Sequence, residues 1–364
     1  MSHPYKDFPQ KCFWEHAVST RAWSDIFKDE EPKFKIAPTE VICTGGSCFA
    51  QRISEFIQSC RFKFGQFEPP HPLLSKDDAT NLGYGQFSAR YGNLYTARQL
   101  RQLIDESFGV IPQRNCFGGH RDGGIVDLLR PSINRHHRFQ CEAEAEADRS
   151  FHLNRVRALF LETDVYIFTL GLTESWIDTE GNAYGVHPSV VTKTEMPFPV
   201  EKINFDYIET YNDLVHAISF LRSINSKIKF ILTVSPVGLA ATHQSRHVLL
   251  STSYSKSVLR AVAGRLVDIS PFVDYFPSYE LFSLAQSFGQ FLASDLRDVS
   301  PRGVLVTMQL FVKMFFASQP DHCVDFPTNS PSASSGELSP RVANFVDVEC
   351  DEIMNLLESG NKAK

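Results

Sequence analysis

Four short apolar runs, each bounded by helix-patterned sequence, set the narrowest limit on how this chain can fold. They cover residues 41–43, 165–170, 229–234 and 273–276, and are strand-length stretches rich in Val, Ile, Leu, Phe and Tyr. After the first, Phe49, Ile53, Phe56, Ile57 and Cys60 recur at helical spacing. Leu153, Val156, Leu159 and Phe160 do the same before the second. Further helices are expected over residues 214–221 and 257–266, and a last one begins near Pro301, a residue suited to a first helical turn. Such alternation predicts a parallel sheet covered by helices on both faces, with right-handed crossovers. Ligands of such sheets gather at the carboxyl ends of the strands. By that rule Ser47-Cys48, Thr173-Glu174 and Ser235-Pro236 converge on one rim.

With 364 residues, 43% hydrophobic and 21% charged, the chain can bury a large core as one main domain with extensions. A net charge of -6 argues against reading a phosphate backbone, so no nucleic-acid partner is expected. No apolar run reaches the length of a signal core or a membrane span, so a cytoplasmic location is expected. The eight cysteines form no Cys-x-x-Cys pair, which predicts neither a zinc site nor a disulfide framework, and most are read as reduced core residues.

The stretch Val41-Ile42-Cys43-Thr44-Gly45-Gly46-Ser47-Cys48-Phe49-Ala50 reads as strand, tight turn and helix. Ser47 and Cys48 then stand at a helix N-terminus, where N–H groups point outward and the dipole favours negative charge. A thiol there can ionise through the local field, whereas a serine hydroxyl needs a nearby base, which favours Cys48 as nucleophile. Thr96 can cap a helix carrying Leu100, Leu103 and Ile104, leaving residues 91–95 as a loop. In that loop Gly92 and Asn93 are either a turn pair or a place where a ligand approaches the backbone.

Residues 1–34 read as an arm packed by Phe13, Trp14 and Trp23. Residues 110–149, with Gly118-Gly119, Gly123-Gly124, His136-His137 and an acidic run over 142–148, read as an insertion or lid. The histidine pair lacks a partner spacing that would specify a metal, and the acidic run reads as a solvated helical face. Residues 319–364 read as a linker followed by an acidic helix over 345–357.

The pentapeptide Gly46-Ser47-Cys48-Phe49-Ala50 matches a family signature. So do Thr169-Leu170-Gly171-Leu172-Thr173-Glu174-Ser175-Trp176, Thr233-Val234-Ser235-Pro236-Val237, Ser255-Lys256-Ser257-Val258-Leu259-Arg260 and Asp274-Tyr275-Phe276-Pro277-Ser278-Tyr279-Glu280. Over residues 35–318 the chain resembles the GSCFA domain proteins, which are placed near the SGNH (GDSL-like) esterases and acyltransferases. The resemblance implies an α/β fold with a three-layer parallel sheet, SGNH-hydrolase-like (flavodoxin-like), with insertions and terminal extensions. It also implies a nucleophile in the turn after the first strand. Aligned on Gly-Asp-Ser, one register puts Cys48 there and the other Ser47.

In that superfamily the oxyanion is held by the nucleophile's own N–H, a glycine N–H and an asparagine. Gly92 is the candidate glycine, and Thr173 stands where asparagine is expected. The general base is the histidine of Asp-x-x-His. This chain has Asp295-Leu296-Arg297-Asp298, so Asp298 occupies the histidine position, and a carboxylate is a weak base for a thiol unless burial raises it. His243 and His247 are either substitutes or surface-loop histidines. The leading expectation is an acyltransferase or esterase with a covalent acyl-enzyme at Cys48 or Ser47, and Asp295 and Asp298 in the base block. Asn93, Glu174, Trp176, Ser235 and His243 join Gly92 and Thr173 around a small-molecule acyl donor and a carbohydrate or other hydroxyl acceptor. No tightly bound cofactor or metal is expected, with acyl-CoA as the candidate donor substrate. The alternative is a non-catalytic acyl- or sugar-binding scaffold, because of Asp298. Oligomeric state stays open.

Overall fold

The computed structural model describes residues 3–60, 62–134, 137–284 and 287–317. The linker and acidic helix expected over 319–364, and His136, lie outside these residues. In chain order the first half carries β1 (Ile42–Gly46), α1 (Cys48–Ser59), α2 (Lys76–Asn81), α3 (Ala97–Ser107), β2 (Phe117–Gly119), β3 (Ile125–Asp127) and α4 (Glu142–Glu162). Then come β4 (Val165–Leu170), β5 (Glu174–Asp178), β6 (Ala183–Tyr184), α5 (Pro188–Thr192), β7 (Val200–Asn204) and α6 (Tyr207–Ile224). The chain continues through β8 (Lys229–Val234), α7 (Val248–Ile269), β9 (Val273–Phe276), α8 (Ser278–Ser283) and α9 (Pro301–Phe315).

All four expected strands form one parallel sheet in the order β1-β4-β8-β9. Ile42 lies opposite Val165, Val165 opposite Lys229, and Phe230 opposite Val273. Side chains alternate between the two faces, as a pleated strand requires. Tyr166, Phe168, Phe230 and Leu232 meet Leu100 and Leu103 of α3, Val156 and Leu159 of α4, Leu214 of α6 and Leu259 of α7. On the other face Ile42, Val165, Ile167 and Ile231 meet Phe49 and Ile53 of α1 and Met308 and Phe311 of α9. The result is three layers, helix on sheet on helix. Each such side chain fully withdrawn from water contributes about 1.5–3 kcal/mol before conformational entropy is counted.

Several boundaries differ from the sequence reading for local reasons. β1 runs on through Gly45 and Gly46. Residues 142–148 are the opening turns of α4 itself, whose Ala145, Arg149 and His152 are buried. α7 begins at Val248, well before residue 257. Thr96 does cap α3, with a full capping box to Gln99. A second sheet, antiparallel in the order β6-β5-β7, was not anticipated and follows directly from the end of β4. Most of the described cysteines are reduced as expected, Cys12, Cys43, Cys48, Cys116 and Cys141 carrying no disulfide, but Cys12 and Cys141 are exposed instead of in the core, and Cys60 is disulfide-bonded. Among the described residues no helix is long and apolar enough to cross a membrane.

Residues 106–152 are knitted to the body by buried charges. Glu106 of α3 accepts from Arg149 Nε at 3.0 Å and Arg114 Nη2 at 2.9 Å. Arg130 joins Asp127 at 2.8 Å and Asp148 at 2.7 Å, and Glu68 meets His152 Nδ1 at 2.7 Å. Burial pushes these carboxyls up, but the facing cations outweigh it: Glu68 is held at about 2, and Glu106, Asp127 and Asp148 below their usual range. Folded pKa values below the unfolded ones mean that this stabilisation is present above about pH 4 and is lost as pH falls through the folded values. Arg149→Met, which leaves Glu106 with one cation fewer in a dry site, should cost about 3–5 kcal/mol in denaturant unfolding. Acid unfolding should move to higher pH in the same variant, and an unchanged denaturant midpoint would count against the network.

Candidate active site

The carboxyl ends of β1 and β4 meet where Gly46 of β1 lies opposite Thr169 and carries no side chain. Gly46 has φ of +130°, and a Cβ there would lie 2.3 Å from the Thr169 carbonyl oxygen, so glycine is required. The next N–H, of Ser47, donates to that same Thr169 oxygen at 3.1 Å. Gly171 just beyond β4 is equally confined, since a Cβ there would stand 2.8 Å from Ser47 Cβ and 3.1 Å from the Tyr95 carbonyl oxygen. The start of α1 is thereby clamped between β4 and the 91–95 loop.

The clamp treats the two nucleophile candidates differently. Ser47 is the N-cap of α1, yet its side chain makes no cap hydrogen bond. It is 2% exposed, and its Oγ has no hydrogen-bond partner. Cys48, the first helical residue, is half-buried and reaches the rim. At the opening of α1 the Ser47 N–H is spent on Thr169 and the Ala50 N–H donates to the Ser47 carbonyl oxygen at 2.8 Å, which leaves the Cys48 and Phe49 N–H groups as the candidate donors to an oxyanion.

A lysine that the sequence reading passed over lies beside this turn. Lys256 of α7 is 1% exposed, and its Nζ donates to the Gly171 carbonyl oxygen at 2.7 Å. Burial lowers its pKa most strongly, the Cys48 charge opposes that, and Arg297 lowers it further, leaving it at about 7. Its position was legible in one respect: Lys256 lies three residues before Leu259 and seven before Ala263, on the buried stripe of α7.

The base block is engaged elsewhere. Asp295 Oδ1 accepts the N–H groups of Arg297 and Asp298, both at 3.0 Å, so this exposed carboxylate closes its own turn. Asp298 Oδ1 receives Arg297 Nη1 at 2.8 Å, and Arg297 Nε donates to the Gly238 carbonyl oxygen at 3.1 Å. Asp298 thus acts as counter-ion to an arginine. His243 points Nε2 at the Ile203 carbonyl oxygen, 3.0 Å away, while its own N–H donates to Glu174 Oε2 at 3.1 Å. His247 caps α7, its Nδ1 accepting from Leu249 N at 3.1 Å.

The other expected residues divide between scaffold and rim. Thr173 is buried, and its hydroxyl donates to Asn204 Oδ1 at 2.7 Å, which directs its proton away from the oxyanion role. Glu174 also accepts from Thr242 Oγ1 at 2.7 Å, clasping β5 to the loop before α7. Trp176 packs edge-on to His187 with centroids 4.6 Å apart, and Ser235 Oγ accepts from Val237 N within its own turn. Asn93 joins the 91–95 loop to the nucleophile helix by accepting from Gln51 Nε2 at 3.2 Å, and its Nδ2 donates to Tyr95 Oη at 3.1 Å. Gly92 has φ of +66°, and a Cβ there would meet Ser132 Oγ at 2.8 Å. A small cavity lined by Asn93, Tyr95, Gln99 and Ser132 together with the apolar Leu129, Pro131 and Val186 opens beside it, and none of its walls is charged.

Among the described residues no group of three or more His, Cys, Asp and Glu side chains is placed to hold a metal ion. Residues 41–311 match the model of the GSCFA family. None of the curated proteins matches the chain. Because backbone atoms cannot give way as a flexible side chain can, Gly46→Ala should lower stability by about 2–4 kcal/mol. A thermal unfolding midpoint equal to that of the unaltered chain would overturn the clamp.

Proposed function

The chain belongs to the GSCFA family, and on that premise we propose that it is an SGNH-like acyl-transfer enzyme, an acyltransferase or esterase that works through a thioester on Cys48. The observation that carries this reading is the contrast within the turn: Cys48 reaches the rim, whereas Ser47 is shut beneath it without a hydrogen-bond partner. The Cys48 sulfur attacks an ester or thioester carbonyl, the C–S bond forms, and the N–H groups opening α1 hold the oxyanion. The leaving group departs with a proton. A hydroxyl acceptor or water then attacks the thioester carbonyl, and the C–S bond breaks to restore the thiol.

The setting suits a cytoplasmic enzyme drawing on an activated small-molecule donor such as acyl-CoA. The uncharged lining of the cavity beside the 91–95 loop, with Asn93, Tyr95, Gln99 and Ser132 alongside Leu129, Pro131 and Val186, supports an uncharged hydroxyl acceptor such as a carbohydrate over a charged one. The pairing of Asp298 with Arg297 favours the rival reading, a non-catalytic acyl- or sugar-binding scaffold.

Intact-mass measurement after incubation with activated aryl esters separates the two. The acyl-transfer reading expects an acyl adduct that persists in Ser47→Ala and vanishes in Cys48→Ala, with turnover reduced about 10³-fold or more in the latter. An adduct that survives Cys48→Ala and is lost in Ser47→Ala would move the nucleophile to Ser47. No adduct and no turnover in the unaltered chain would leave the scaffold reading.

A further inference from the structure

We propose that Lys256 is the base that takes the Cys48 proton and returns it, so that a thiol–amine pair linking α1 to α7 drives the chemistry; this rests on the reading of Cys48 as nucleophile. The geometry brings the amine to the turn that carries Cys48. Its nitrogen is hydrogen-bonded to Gly171, and Gly171 packs directly on Ser47 at the foot of the Cys48 turn. The side chain is 1% exposed, and no carboxylate among the described residues forms an ion pair with it. An ammonium buried on those terms is costly, and the neutral amine is the form that can accept a proton.

The charges that act on Lys256 come from Cys48 on α1 and from Arg297 in the loop before α9, and Asp298 is tied to Arg297. With its pKa brought down to about 7, the amine is half neutral near neutral pH, the condition in which one group serves as base and then as acid. The two candidate histidines at the rim, His243 and His247, are held by a carbonyl oxygen and a helix cap. A lysine on the sheet side of α7 takes over their expected task.

The protons balance over a full cycle. The neutral amine removes the S–H proton, giving a thiolate and an ammonium. As the C–S bond forms and the donor's ester or thioester bond breaks, the ammonium gives that proton to the departing oxygen or sulfur. The amine is then neutral again and takes the proton of the acceptor hydroxyl as its oxygen attacks the thioester. When the C–S bond breaks, the thiolate recovers a proton from the ammonium.

The pair is tested by the rate of Cys48 alkylation by iodoacetamide as a function of pH on the full chain, with Cys48→Ala identifying the reacting thiol. In the unaltered chain the rate should rise with a midpoint below that of an ordinary thiol, about 8.5. Lys256→Met should move the midpoint upward and slow alkylation at pH 7 by about tenfold. An unmoved profile in a variant that unfolds at the unaltered midpoint would overturn the pair and leave Lys256 as a structural cap on β4. If Lys256→Met does not fold, Lys256→Gln decides, because an uncharged side chain that keeps a donor for the Gly171 carbonyl oxygen should also raise the midpoint, and no movement would overturn the proposal. A profile that shifts while no ester yields an adduct would leave the pair standing and remove the acyl-transfer reading; an adduct with an unmoved profile would do the reverse.

Discussion

Where β1 gives way to α1, the main chain of Gly46 passes so close to Thr169 that the gap holds no methyl group. Everything on the rim takes its place from that approach. The Ser47 N–H can reach the Thr169 oxygen only because nothing stands between the strands, and that bond sets the angle at which α1 leaves the sheet. Gly171 closes the opposite side against Ser47 Cβ. Two residues adjacent in sequence are thereby sorted into an inward hydroxyl and an outward thiol. Polypeptide sterics, more than side-chain reactivity, choose which one faces outward.

Around the thiol, the polar groups fall into two kinds. Glu174, Thr242 and His243 satisfy one another and the backbone, fixing the short antiparallel sheet to the loop before α7. Asp295 and Asp298 fold their loop and neutralise Arg297. Lys256 differs from both kinds, because its amine is dry, bonded to a lone carbonyl and within the field of Cys48. Low local dielectric makes such a group responsive to a single nearby charge. A surface lysine at the same distance would remain an ammonium throughout.

The parallel sheet was legible because each of its strands is mostly apolar and buried on both faces, as β4 and β8 are along nearly their whole length. The antiparallel sheet was not. β7 is exposed along much of its length and contains Glu201 and Lys202, so neither alternation nor an apolar run marks it, and β6 is two residues long. The Cys48 turn was legible from glycine placement and the helical spacing beyond it. The absence of a histidine at 298 was legible too, but where Asp298 points depends on Arg297 and could not be read from spacing. Lys256 was hidden because a lysine is normally taken as solvated, and only its phase with Leu259 and Ala263 marks it as inward. Thr173 shows the limit of matching motif positions, since its hydroxyl is already committed to Asn204, a residue from another strand.

The order β1-β4-β8-β9 places the first strand at an edge whose neighbour is made much later, with a sequence separation of 123 from Val41 to Asp164 at the foot of the pair. A growing chain therefore carries β1 without its partner while the whole 60–160 region is synthesised. In the folded chain residues 63–65 lie along that strand, with Ile42 N bonded to the Lys63 oxygen and Gly65 N to the Ile42 oxygen. In the finished protein this segment covers an edge that would otherwise invite pairing with another chain. This cover is a contact of short sequence separation laid beside the long-range β1–β4 pairing, so the strand's two sides are satisfied at very different costs in chain closure.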